Sequence, residues 1–180
     1  MPRSSRTGRP RPRTAGAGPS LRLRPALPRD LTTLVDHRRR MFREIGRWSS
    51  ATLARSARAY RRWARRELAA RRLFGFVVED PEAGVVGSGV VWLQPSQPRP
   101  APLARLAMPY IMSMYTEPSF RRRGVATTLV RAMVVWATAR GFRRIFLHAS
   151  RKGRPVYERL GFRAGNEMRL DLSALRSPRR

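Results

Sequence analysis

The chain has 180 residues and a formal net charge of +28, from 39 basic and 11 acidic residues. This length fits one ordinary domain built around one core. Cysteine is absent, which excludes disulfides, a thiolate nucleophile and cysteine-ligated metals. His37 and His148 are the only histidines, so we expect no metal site.

Nearly all of the positive charge is arginine, since Lys152 is the only lysine. A basic surface fits either an electrostatic contact with nucleic acid or arginine at ordinary solvated positions. The arginines are spread along the chain rather than gathered in one cluster, which favours the second interpretation.

Residues 1–20 are rich in proline, glycine, serine and arginine and offer little apolar surface to bury. We therefore expect a disordered tail there, followed by one domain over residues 21–175. No apolar run reaches the roughly 18 residues of a membrane helix, and the N-terminus lacks the apolar core of a secretory signal, so a cytoplasmic location is expected.

The first predicted elements are a short strand and two helices. Alternating residues predict a strand through Arg24, Asp30 fits a helix N-cap, and residues at helical spacing follow it to Met41. A second, amphipathic helix is predicted from about Ser50 to Ala70, with arginines on its outer face.

Two β-rich segments then predict an antiparallel hairpin. Residues 72–80 and 84–94 are joined by the turn sequence "DPEAG". Gly87 and Gly89 indicate a bulge or a close backbone approach within the second strand. The proline-rich residues 95–109 are expected to form an irregular loop.

The second half of the chain alternates strands and helices. The predicted elements are, in order, strand 110–116, helix 124–140, strand 143–150, helix 154–162 and strand 166–172. This order predicts a mixed α/β sheet flanked by helices.

The sequence between the strand at 110–116 and the next helix predicts an anion site. The first amides of a helix lack intrahelical acceptors, and the helix dipole adds partial positive charge there. Neither GxxxxGK[ST] nor GxGxxG is present. The spacing is instead Arg121-x-x-Gly124-x-Ala126.

This spacing resembles the Q/R-x-x-G-x-G/A cofactor motif of the GNAT superfamily of acetyltransferases, which follows the fourth strand. The later "VYERLGF", residues 156–162, resembles the second signature of the family. The resemblance extends over about residues 21–172. It implies a single-domain α/β fold with a GNAT-like mixed central sheet, and an N-acetyltransferase that takes its acetyl group from acetyl-CoA.

The resemblance also implies how the coenzyme is held. Its pantetheine arm would lie between splayed fourth and fifth strands, and Ser150 stands where the family has an arm-contacting asparagine. The implied arm contacts on the fourth strand are Met114, Tyr115 and Thr116. The implied pyrophosphate contacts are Arg121, Arg122, Arg123, Gly124, Val125, Ala126 and Thr127.

For the chemistry, Tyr157 matches the family's tyrosine acid, and a backbone amide near Met114 would stabilise the oxyanion. Glu117 is the candidate general base, with Glu44, His148 and a water relay left open. The acceptor would be a small-molecule or protein amine, and a homodimer is left open. Two alternatives on the same scaffold are a nucleic-acid-binding protein and a non-catalytic coenzyme sensor.

Overall fold

The computed structural model describes residues 21–97 and 107–168. The predicted tail at residues 1–20 lies outside them. The strands are β1 Arg22–Pro25, β2 Leu73–Asp80, β3 Gly84–Pro95, β4 Ala107–Thr116 and β5 Phe146–Leu147; the helices are α1 Leu31–Ile45, α2 Ser50–Ala69, α3 Val125–Ala139 and α4 Arg154–Arg159. Within these residues no helix is long and apolar enough to cross a membrane.

The strands form one sheet in the order β1-β2-β3-β4-β5. The first four strands pair antiparallel, while β4 and β5 are parallel. A parallel pair requires a crossover connection, and α3 provides it. The predicted mixed sheet flanked by helices is therefore confirmed.

The sheet separates two apolar clusters because successive side chains of a strand point to opposite faces. Val90 of β3 is buried with α1 and α2, whereas its neighbour Val91 is buried with α3. The α3 face is centred on Leu129 and Met133, which are fully buried. The apolar stripes of α1, α2 and α3 therefore lie against the sheet.

A bulge in β4 lies opposite Gly89. Val90 pairs with Met112 and Ser88 with Tyr115, so two β4 residues face one β3 residue. A Cβ at Gly89 would clash with the side-chain ends of Met114 and Met133. A bulge is therefore present at this glycine, but its extra residue lies in β4 rather than in β3, and the close approach is to side chains rather than to backbone.

Several boundaries differ from those predicted, including that of α4, which ends at Arg159 rather than at residue 162. Residues 107–109 belong to β4 rather than to a loop because the long β3 continues to pair with them, while residues 98–106 are not described. The strand predicted at 143–150 is confined to β5, where β4 supplies a partner. Residues 166–168 are not strand, and residues 169–172 of that prediction lie outside the described part.

Candidate active site

The start of α3 presents free backbone amides. Gly124 is its N-cap, with φ 81° and ψ −4°, and no side chain caps the helix. The first intrahelical bond runs from the Thr128 amide to the Gly124 carbonyl at 2.9 Å, so the preceding amides have no intrahelical acceptor. Free amides at a helix start, together with the helix dipole, are suited to hold an anion.

The glycine is required by the backbone rather than by crowding. A Cβ at Gly124 would meet no atom within 4 Å, but its positive φ is strained for other residues. Arg122 also has a positive φ, of 62°, so the loop reverses direction just before the helix.

The three arginines of the motif occupy different surroundings. Arg121 places Nη2 2.7 and 2.8 Å from the Glu44 oxygens and donates from Nε to the Thr116 carbonyl at 3.0 Å. Arg123 lies 5.1 Å from the centre of the Phe120 ring. Arg121 thus fixes the loop to α1 and β4, whereas Arg122 and Arg123 are exposed beside the helix start.

β4 and β5 are paired over only part of the length of β4. Their parallel pairing consists of Tyr110 with Phe146 and Ile111 with Leu147 in the described residues. Residues 112–116, which include the bulge, have no β5 partner among them. We call this unpaired region, which contains the backbone of Met114, Tyr115 and Thr116, the opening between β4 and β5. The Tyr115 side chain is buried and contacts His37 of α1.

Tyr157 lies on α4, on the same face of the sheet as α3. Its ring is 5.9 Å from Phe162, and it packs against the apolar cluster that Met114 also contacts. Burial raises the pKa of Tyr157 above its ordinary value. No described residue hydrogen-bonds its hydroxyl, which leaves the proton free for another acceptor.

Ser150 and His148 both have partners of their own. The Ser150 hydroxyl accepts a hydrogen bond from the Gly153 amide at 3.1 Å, just before α4. His148 follows β5 directly, with Nδ1 bonded to the Tyr110 hydroxyl and Nε2 3.0 Å from Glu167. Neither side chain is brought to the start of α3.

Glu117, directly after β4, is held by α1. Arg40 Nη1 donates to its two oxygens at 2.8 and 3.0 Å, and His37 Nε2 lies 3.4 Å from Oε1. Arg40 Nε in turn lies 2.6 Å from Asp36 Oδ2. The carboxylate thus belongs to a charged network that joins α1 to β4.

The buried histidine of this network was missed as a site residue in the sequence. His37 Nδ1 lies 2.8 Å from Ser88 Oγ, and its ring centre is 4.9 Å from that of Tyr115. Burial lowers the pKa of His37, which keeps the ring neutral near pH 7. A histidine on the inner face of a predicted helix was the available signal.

Comparison with known proteins identifies the chain. The profile of the acetyltransferase (GNAT) family matches residues 32–162. A protein of Trypanosoma brucei brucei named glucosamine 6-phosphate N-acetyltransferase is 33% identical over 107 residues, which are 57% of this chain and 70% of that protein.

Solved structures agree in fold. A GCN5-related N-acetyltransferase from Ralstonia eutropha JMP134 superposes with a TM-score of 0.75 at 30% identity, covering 86% of this chain and 99% of that one. A predicted acetyltransferase from Clostridium acetobutylicum, solved with acetyl-CoA, gives a TM-score of 0.73 at 27% identity over 86% and 98% of the two chains. The chain therefore belongs to the acetyltransferase (GNAT) family and is an acetyl-CoA-dependent N-acetyltransferase that acts on an amine.

Proposed function

We propose that the start of α3 binds the pyrophosphate of acetyl-CoA and that the opening between β4 and β5 holds its pantetheine arm. The uncapped, glycine-led helix start beside that opening is the observation that carries this proposal. Arg122 and Arg123 would add charge from the solvent side. Arg121 would act by holding the loop, because its guanidinium already binds Glu44.

Transfer would occur in one active site by direct attack. The neutral amine nitrogen forms a bond to the acetyl carbonyl carbon, and the carbon–sulfur bond then breaks. A backbone amide near Met114, in the β4 bulge, would donate to the oxyanion that develops between these two events. The proton lost by the amine passes to a base, and the departing sulfur receives a proton from an acid.

We assign the acid role to Tyr157. Proton transfer from a free tyrosine to a free thiolate is uphill by about 2 kcal/mol. Burial raises the pKa of Tyr157 further, but the same apolar surroundings disfavour a thiolate as well. The hydroxyl has no competing partner among the described residues, so it is available as charge develops on sulfur.

We assign the base role to Glu117. Its side chain is 22% exposed at the end of β4, where an amine or a bridging water would reach it. Each carboxylate oxygen keeps a lone pair after accepting a hydrogen bond from Arg40. The network with Arg40 and His37 would fix the direction of those lone pairs.

The acceptor is a small-molecule or protein amine. The Trypanosoma relative is named for glucosamine 6-phosphate, so amino sugars and their phosphates are the first amines to assay.

The test separates donor binding from chemistry. Isothermal titration with acetyl-CoA should give saturable binding, and an amine panel should release free coenzyme thiol. Tyr157→Phe should lower kcat by about 10²–10⁴-fold while acetyl-CoA binding is retained. No acetyl-CoA binding would contradict the proposed site, and an unchanged kcat in this variant would contradict the acid role.

A further inference from the structure

A second polar cluster lies between α1 and α2, away from the network of Glu117. The Arg38 guanidinium lies between two rings, 4.4 Å from the centre of Phe42 and 4.5 Å from that of Tyr60. These side chains line a small cleft together with Val35 and Leu53.

Arg38 differs from three other arginines that pack against this domain. Arg24, Arg40 and Arg72 each bind a carboxylate. For Arg38, Nε is buried without a hydrogen-bond partner, and no described carboxylate pairs with its guanidinium. An unpaired, half-buried cation is costly unless an anion reaches it.

Tyr60 adds a second hydrogen-bond donor to the cleft. Its side chain is buried, and Ser113 is the described side chain that its hydroxyl faces. Both groups can donate hydrogen bonds, and the cleft contains no acidic side chain. This donor set matches a carboxylate or phosphate.

The cleft is next to the bulge where transfer is proposed to occur. Ser113 is close enough to Tyr60 to affect the pKa of its hydroxyl, and Met114 follows it directly in the chain. An anionic group at Tyr60 would therefore bring an amine on the same small molecule close to the Met114 amide. The cleft is small, so the anionic group would enter it and the body of the acceptor would remain outside.

We propose that Arg38 and Tyr60 bind a carboxylate or phosphate carried by the amine acceptor. The acceptor is then an anionic amine, and Arg38 selects it over neutral amines. This inference rests on the proposed function, because it assigns the acceptor side of that same site.

Matched amines test the proposal: glucosamine 6-phosphate against glucosamine, and β-alanine against β-alaninamide. The first pair probes phosphate and the second carboxylate. The wild-type chain should acetylate the acidic member of at least one pair about tenfold or more efficiently in kcat/KM. Arg38→Met should raise KM for that amine about 10–100-fold, with smaller effects on the neutral partner and on acetyl-CoA binding. Arg38→Lys should recover part of the loss.

Arg43→Met is the matched control, since Arg43 is an exposed arginine on the same helix. It should leave the preference for the acidic amine unchanged, and thermal unfolding should show that both methionine variants are folded. Equal or better use of the neutral amines, or an Arg38→Met variant that keeps the acidic preference, overturns the proposal. A chain that binds no acetyl-CoA contradicts the proposed function instead.

Discussion

His37 Nδ1 on α1 lies 2.8 Å from Ser88 Oγ on β3, and both residues are almost fully buried. The other ring nitrogen faces Glu117, which follows β4. One imidazole therefore connects a helix to two neighbouring strands beside the bulge. Because this ring is buried mainly in its neutral form, the free energy of unfolding should depend on whether the imidazole is protonated.

We expect the free energy of unfolding to fall as the pH drops below about 6.5. Burial lowers the pKa of folded His37 below its unfolded value, even though Glu117 opposes the shift. In that window the unfolded chain binds more protons, so stability decreases with a slope of up to about 1.4 kcal/mol per pH unit. Urea unfolding measured between pH 7.5 and pH 5 would give the slope.

His37→Gln should flatten this part of the pH profile, because the titrating group is gone. His148→Gln is the matched control, since His148 is an exposed histidine directly after β5. It should leave the slope close to that of the wild-type chain. A His37→Gln profile as steep as the wild-type profile would show that other groups cause the acid loss.

Gly124 and Gly84 offer a matched pair for testing the pyrophosphate site. Their φ angles are 81° and 72°, and neither has an atom within 4 Å of a Cβ position. Substituting either glycine with glutamate should cost about 1 kcal/mol of stability from backbone strain. Only Gly124→Glu also places a negative charge at the start of α3, so it alone should weaken acetyl-CoA binding, by about tenfold or more.

Isothermal titration of both variants with acetyl-CoA, at matched ionic strength, measures the difference. Gly84 begins β3 directly after the β2–β3 turn and away from α3, so its variant measures the effect of backbone strain alone. Equal dissociation constants for the two variants would rule out pyrophosphate binding at Gly124.

The sequence predicted the sheet, the order of its elements and the loop before α3, because these depend on local patterns. Gly87 and Gly89 indicated a bulge or a close approach in this region for the same reason, but not that the extra residue would lie in β4. The site contacts depend on tertiary distances that no local pattern contains. The pairings of Arg121 with Glu44 and of Arg40 with Glu117 each join residues 77 positions apart. In the sequence, His37 and Arg38 are two neighbouring residues of an amphipathic helix. The pattern does not show that His37 joins the network of Glu117 while Arg38 lies between Phe42 and Tyr60.

The length of β5 could not be predicted for a related reason. Residues 143–150 have the composition of a strand, but a strand requires a partner along its length. Only Phe146 and Leu147 are paired with β4, and residues 112–116 of β4, which include the bulge, have no β5 partner in the described residues. This unpaired part of β4 is the opening assigned to the coenzyme arm.

Glu67 is a buried carboxylate far from the proposed chemistry, and it should contribute to stability. It accepts two hydrogen bonds from the Arg72 guanidinium, at 2.8 and 2.9 Å, and one from Trp92 Nε1 at 3.0 Å. The Arg72 hydrogen bond is the main reason that its pKa is lowered, to about 2. Glu67→Gln should reduce the free energy of unfolding at pH 7 by about 1–2 kcal/mol, because it removes the charge from these hydrogen bonds.

The sign of the pH dependence distinguishes this effect from lost packing. A carboxylate with a lowered folded pKa stabilises the fold above its unfolded pKa, near 4.5, and that stability is lost as the pH falls towards 2. The difference in free energy of unfolding between the wild-type chain and Glu67→Gln, measured by urea unfolding, should therefore decrease over that pH range. Glu82→Gln, in the exposed β2–β3 turn, should change stability by less than about 0.5 kcal/mol at any of these pH values. If the difference in free energy of unfolding between the wild-type chain and Glu67→Gln stays constant with pH, the loss of stability comes from packing rather than from the charge.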